Sequence, residues 1–78
     1  MEVLRDYVWK TDNDELQELI DSGYELVYAD VSLEVIYEQF FDCFEGREVD
    51  QRIEEHFGYY GLYALLYVEG MHYWLMQV

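Results

Sequence analysis

Proline is absent from the 78 residues, cysteine occurs once, and lysine and arginine together number four. Without proline there are no polyproline recognition segments or Pro-rich linkers. The glycines at 23, 46, 58, 61 and 70 are left to end the elements. The lone Cys43 excludes an internal disulfide and fits a reducing compartment. The only cations are Arg5, Lys10, Arg47 and Arg52, too few for a basic face that would hold nucleic acid or an anionic membrane. No apolar run approaches the ~18 residues of a membrane span. The opening MEVLRDYVWK carries charges where a signal peptide needs an apolar run, so a cytoplasmic protein is expected.

What remains is apolar, aromatic and acidic. The length suits a single domain over residues 1–78. Hydrophobic residues make up 53% of the chain, which sets it apart from an acidic disordered tail. Nine tyrosines, four phenylalanines and two tryptophans supply the buried area a small core needs. Net charge is −14, and it is segregated: residues 11–55 hold 15 carboxylates and two arginines, whereas residues 56–78 hold only Glu69. Such a field favours a basic partner and speeds encounter with it.

The pattern predicts an α+β fold: a small antiparallel sheet with a C-terminal β-hairpin, packed against about three short helices. Residues 2–9 lean towards strand. A helix near 13–22 follows, capped by Asp12 with Glu15 three residues on, facing inward with Leu16, Leu19 and Ile20, and ended by Gly23. YELVYAD, 24–30, reads as a strand. In the helix expected at 32–45, capped by Ser32, an apolar arc of Leu33, Ile36, Tyr37, Phe40 and Phe44 follows the 3.6-residue period. A third helix is expected near 48–57. The last strands, near 61–68 and 71–78, meet at a Glu69-Gly70 turn, which pairs Val68 with Met71, Leu66 with Tyr73 and Leu65 with Trp74. Both hairpin faces are apolar. The hairpin is therefore either central and covered on both sides, or it shows an aromatic face outward.

No catalytic constellation emerges, and no enzyme, cofactor or metal site is expected. Carboxylates abound, but none is singled out beside an apolar wall that would raise its pKa. Cys43 lies towards the inner side of its helix in a negative field, which favours packing over nucleophilic chemistry. His56 and His72 lack metal-ligand spacing. DNDE at 12–15 lacks the glycine and distal glutamate of a calcium loop.

Instead, the charge pattern is the signal. Glu34, Glu38, Asp42 and Glu45 fall on one helix face, within about 80° of each other at 3.6 residues per turn. Solvated helix faces ordinarily mix signs, because like charges four apart destabilise by roughly 0.2–0.5 kcal/mol per pair. The bias continues through the acids at 12, 14, 15, 18, 48, 50, 54 and 55. In size, acidity and aromatic content the chain resembles the small phage-encoded inhibitors, the anti-CRISPR and antirestriction proteins that mimic DNA. That resemblance implies a non-enzymatic inhibitor in the host bacterial cytoplasm, bound to a basic nucleic-acid-binding protein such as a CRISPR or restriction component. It implies no direct contact with nucleic acid or membrane. The acids expected to meet the partner are Glu34, Glu38, Asp42 and Glu45, with Asp14, Glu18, Glu48, Glu54 and Glu55. In the alternative reading, a small acidic interaction or immunity-type protein binds a partner, or a second copy of itself, through the aromatic hairpin.

Overall fold

The Asp12 side chain accepts a hydrogen bond from the Glu15 backbone N–H at 2.9 Å, and this cap starts the first helix, α1 (Asn13–Asp21). At the other end, Gly23 sits at φ +106°, a left-handed conformation that glycine adopts without strain. Its N–H bonds the Ile20 carbonyl at 3.1 Å and turns the chain into β2 (Tyr24–Asp30). Of the three inward positions expected on α1, Leu19 is buried and Leu16 partly so, but Ile20 is exposed. The helix meets the sheet along the Leu16–Leu19 line, and Ile20 lies about 40° past Leu16 on the side away from Leu19.

The computed structural model describes residues 3–44, 57 and 62–77, with the side chains of Val3, Cys43 and Phe44 excepted. Residues 3–7 form a 3-10 turn that leads into a three-residue strand, β1 (Val8–Lys10), so the strand expected over 2–9 is displaced towards its C-terminal end. After β2 comes α2 (Leu33–Phe44), and the hairpin consists of β3 (Tyr63–Val68) and β4 (Met71–Gln77). The expected helix near 48–57 lies outside the described residues except for Phe57, which makes an isolated parallel bridge to Tyr63. Among the described residues the α-helices number two rather than about three.

The sheet has four strands in the order β1-β3-β4-β2, and it is mixed, not antiparallel as expected. β1 pairs parallel to β3, while β4 is antiparallel to both β3 and β2. The expected hairpin register holds at all three pairs, Val68 with Met71, Leu66 with Tyr73 and Leu65 with Trp74. Glu69 and Gly70 both take positive φ, 48° and 85°, as a two-residue turn matched to strand twist requires.

This order places the hairpin at the centre of the sheet and decides how its two faces are covered. On one face Leu19 of α1 packs with Tyr24, Ala64, Leu66, Val68 and Leu75. On the other, Ile36 and Phe40 of α2 pack with Leu4, Phe57, Leu65 and Trp74. The connection holding α1 crosses the sheet from β1 to β2, and the one holding α2 returns from β2 towards β3. Two crossovers in opposite directions share one hand only if their helices lie on opposite faces, and they do. Of the expected apolar arc, Ile36 and Phe40 are buried and Leu33 and Tyr37 partly so, while Phe44 lies outside the described side chains; Leu66 and Leu75 of the hairpin are buried as well.

Candidate acidic docking surface

Glu34 heads the acidic stripe, and the fold gives it company that the stripe alone does not show. The Asp30 carboxylate accepts from the Ser32 N–H at 2.9 Å, shaping the turn into α2. The Ser32 hydroxyl, expected as a helix cap, instead donates to the Glu34 carboxylate at 3.1 Å. Arg5, 29 residues away in sequence, reaches the other carboxylate oxygen at 3.5 Å. The Glu34 carboxyl is held below its ordinary value of 4.5, first by its own backbone N–H and then by the Ser32 hydroxyl. Partial desolvation opposes these, and Arg5 and His72 add a weaker pull in the same direction.

Arg5 and Glu34 belong to a cleft of about 420 Å³ that also takes in Lys10, Ser32, Tyr67 and His72. His72 Nδ1 lies 3.1 Å from the Val31 carbonyl, and its ring packs against Tyr67 at 4.8 Å with the planes tilted by 42°. Both described cations therefore line one cleft, in which Arg5 pairs with Glu34.

The rest of the stripe is different. Glu38 and Asp42 are exposed and have no lysine or arginine partner among the described residues. Asp42 stands in the last turn of α2, which has no basic residue; a carboxylate there opposes the helix dipole at a cost of about 0.3–1 kcal/mol. Asp42 and Gln39 border a second cleft, about 350 Å³, with Val27, Tyr28 and Trp74.

Asp14 and Glu18, on α1, are exposed on the opposite face of the sheet from Glu38 and Asp42. The acids thus do not share one plane. Both helices pack against β2, so the described acids straddle that outer strand, which adds Glu25 and Asp30 of its own. Glu45, Glu48, Glu54 and Glu55 lie outside the described residues, as do Arg47 and Arg52.

Sequence reasoning missed the Arg5–Glu34 pair and the part played by β2. No local signal joins residues 5 and 34. The Asp30-x-Ser32 spacing before an apolar run, a recognisable turn signal, could have drawn attention to the start of α2. The aromatic hairpin, the alternative contact surface, spends both faces on α1 and α2; among its described residues the exposed large apolar side chains are Leu62 and Met76, and its aromatic rings are buried or half-buried. Among the described residues no group of three or more His, Cys, Asp or Glu is arranged to hold a metal. No helix among them is long and apolar enough to cross a membrane. No family model matches the chain, and neither a curated protein nor a solved structure matches it.

Proposed function

We propose that this protein is a non-enzymatic inhibitor that binds a basic nucleic-acid-binding protein, such as a CRISPR effector or restriction component, and presents carboxylates where that protein expects phosphates. One observation carries the reading: the two described cations line a single cleft, where Arg5 pairs with Glu34, and the outer faces of α1, β2 and the rest of α2 are acidic with no lysine or arginine among them. A surface selected only for stability would intersperse the signs. Aligned carboxylates in a water-exposed rim steer a basic groove into contact and repel nucleic acid itself.

The fold narrows the expected geometry. Acids on two sheet faces cannot all enter one shallow groove, so the β2 rim with its flanking carboxylates is the part that inserts. The test is competition between this protein and nucleic acid for a purified CRISPR effector nuclease, across a salt series. By analogy with phosphate binding, Glu38→Gln with Asp42→Asn should lower the log–log salt slope by about one for each carboxylate neutralised and weaken binding at low salt. Unchanged affinity and slope in the double variant would reduce these acids to a solvated face.

A further inference from the structure

We infer that β2 is a docking strand, to which a partner's extended segment adds as a fifth strand through an apolar middle flanked by cations. The inference rests on the acidic-docking reading above and gives it an address. β2 is outermost, with β4 on one side and no strand beyond it among the described residues. Proteins blunt such edges with short strands, proline, β-bulges or charged side chains, lysine above all. The opposite edge obeys this: β1 has three residues and ends in Lys10. β2 has seven residues and neither lysine nor proline; its guards are the irregularity at Val27 and the acids Glu25 and Asp30, and acids do not turn away a basic segment.

Three consecutive apolar residues of β2 are open to solvent, Leu26 at 53%, Val27 at 40% and Tyr28 at 36%. The register to β4 shifts between Leu26 and Tyr28, leaving Val27 without a partner there. A bulge places neighbouring side chains on the same side of a strand, and Val27 and Tyr28 both border the cleft with Gln39 and Asp42. Trp74 borders it too; its Nε1–H is buried and has no hydrogen-bond partner among the described residues. The rim thus offers backbone groups, apolar contacts and an adjoining recess whose acidic side chain is Asp42.

Charge decides the occupant. An antiparallel second copy centred on Val27–Tyr28 would set Glu25 against Asp30 at both ends, acid facing acid, with Asp42 and Glu38 close by. Directly opposed like charges destabilise a strand pair. A segment with lysine or arginine at its ends reverses each of those repulsions, and a long cationic side chain can enter the recess towards Asp42. Basic strands and arms with this pattern are what nucleic-acid-binding proteins turn towards phosphate, and pairing with β2 would withdraw one from its ligand.

The probe is a synthetic heptapeptide alternating arginine with valine, beside a counterpart with glutamate for arginine, titrated into the full chain with backbone amide shifts and amide exchange as readouts. The expected result is saturable binding of the arginine peptide alone, with shifts and new protection concentrated at 25–30. Val27→Lys should weaken it at least tenfold and Asp42→Asn severalfold. The exposed Asp42 change keeps the test available should Val27→Lys disturb the fold. No binding of the arginine peptide, or equal binding of both peptides, overturns the proposal. So does salt-sensitive binding that ignores Val27→Lys and spreads over α1 and α2, an outcome that leaves the acidic-surface reading standing. Light scattering that finds a dimer broken by Val27→Lys would overturn it in favour of a second copy. Failure of the acidic reading shows separately, as absence of competition with nucleic acid at the effector.

Discussion

Phe40→Ala is the perturbation with the clearest expected size. Phe40 is 1% exposed at the centre of the α2 side of the core. Its ring centroid lies 5.3 Å from that of Phe57 and 5.6 Å from that of Trp74, and 6.4 Å from Tyr63 in a near-perpendicular arrangement. Truncating a buried phenylalanine costs about 3–5 kcal/mol, and each aromatic pair adds about 0.5–1.5 kcal/mol beyond buried area. At about 0.05–0.15 kcal/mol per residue, the whole domain holds roughly 4–12 kcal/mol. The variant therefore loses a large part of that stability, or all of it. For a domain of this size about 1 kcal/mol moves Tm by 4–8 °C, so a fall of at least about 12 °C is expected if the variant folds. The assay is thermal and urea unfolding by far-UV circular dichroism. Phe41→Ala serves as comparison: Phe41 is half-buried, packs on Tyr37 at 4.4 Å with the rings tilted by 45°, and its loss should cost about 1–2 kcal/mol. If Phe40→Ala melts within about 4 °C of wild type, or no lower than Phe41→Ala, α2 does not pack through the face assigned to it.

Glu34, with its carboxyl lowered in the folded state, contributes stability that is present above its ordinary value of 4.5 and lost as pH falls through the folded-state value; side-chain carbon NMR should find its midpoint below 4.5, and Ser32→Ala should raise that midpoint. Asp12→Ala removes the α1 cap and should cost about 1 kcal/mol in urea unfolding. Glu69→Asn puts a residue that tolerates positive φ at the first turn position and should stabilise by up to about 1 kcal/mol, less the exposed bond Glu69 accepts from Asn13 at 3.2 Å. Gly70→Ala, at φ +85°, should lower Tm although no atom crowds the new methyl group.

Local chemistry carried the legible part of the fold. A two-residue turn at Glu69-Gly70 dictates every pair that follows, so the hairpin register could be written down from the chain alone. Asp12, Glu15 and Gly23 mark α1 for the same reason. What was not legible is what depends on distant partners. β1 is three residues long and is defined by pairing with Leu65–Tyr67, more than fifty positions away. The hairpin's two apolar faces were equally consistent with a covered and an exposed arrangement until strand order decided between them. At the site, Glu38 and Asp42 project as their spacing requires, but only the fold brings Arg5 to Glu34. Only strand order shows which strand is left at the rim.

The strand order also sets a sequence of events. β1 and β2, first along the chain, are parallel outer strands that never touch; each finds its neighbour only in the hairpin that comes last. Residues 3–44 by themselves contain no pair of strands that meet in the native sheet. The hairpin alone can close locally, on a timescale of about 1–10 μs. It must then act as the template on which β1 and β2 dock from opposite sides. Folding is thus committed to long-range pairing and to a slower rate than a helical domain of equal length would show. A cut between α2 and β3 would separate two fragments, neither of which holds a complete sheet. Their rejoining in solution would be a direct assay of the hairpin as nucleus.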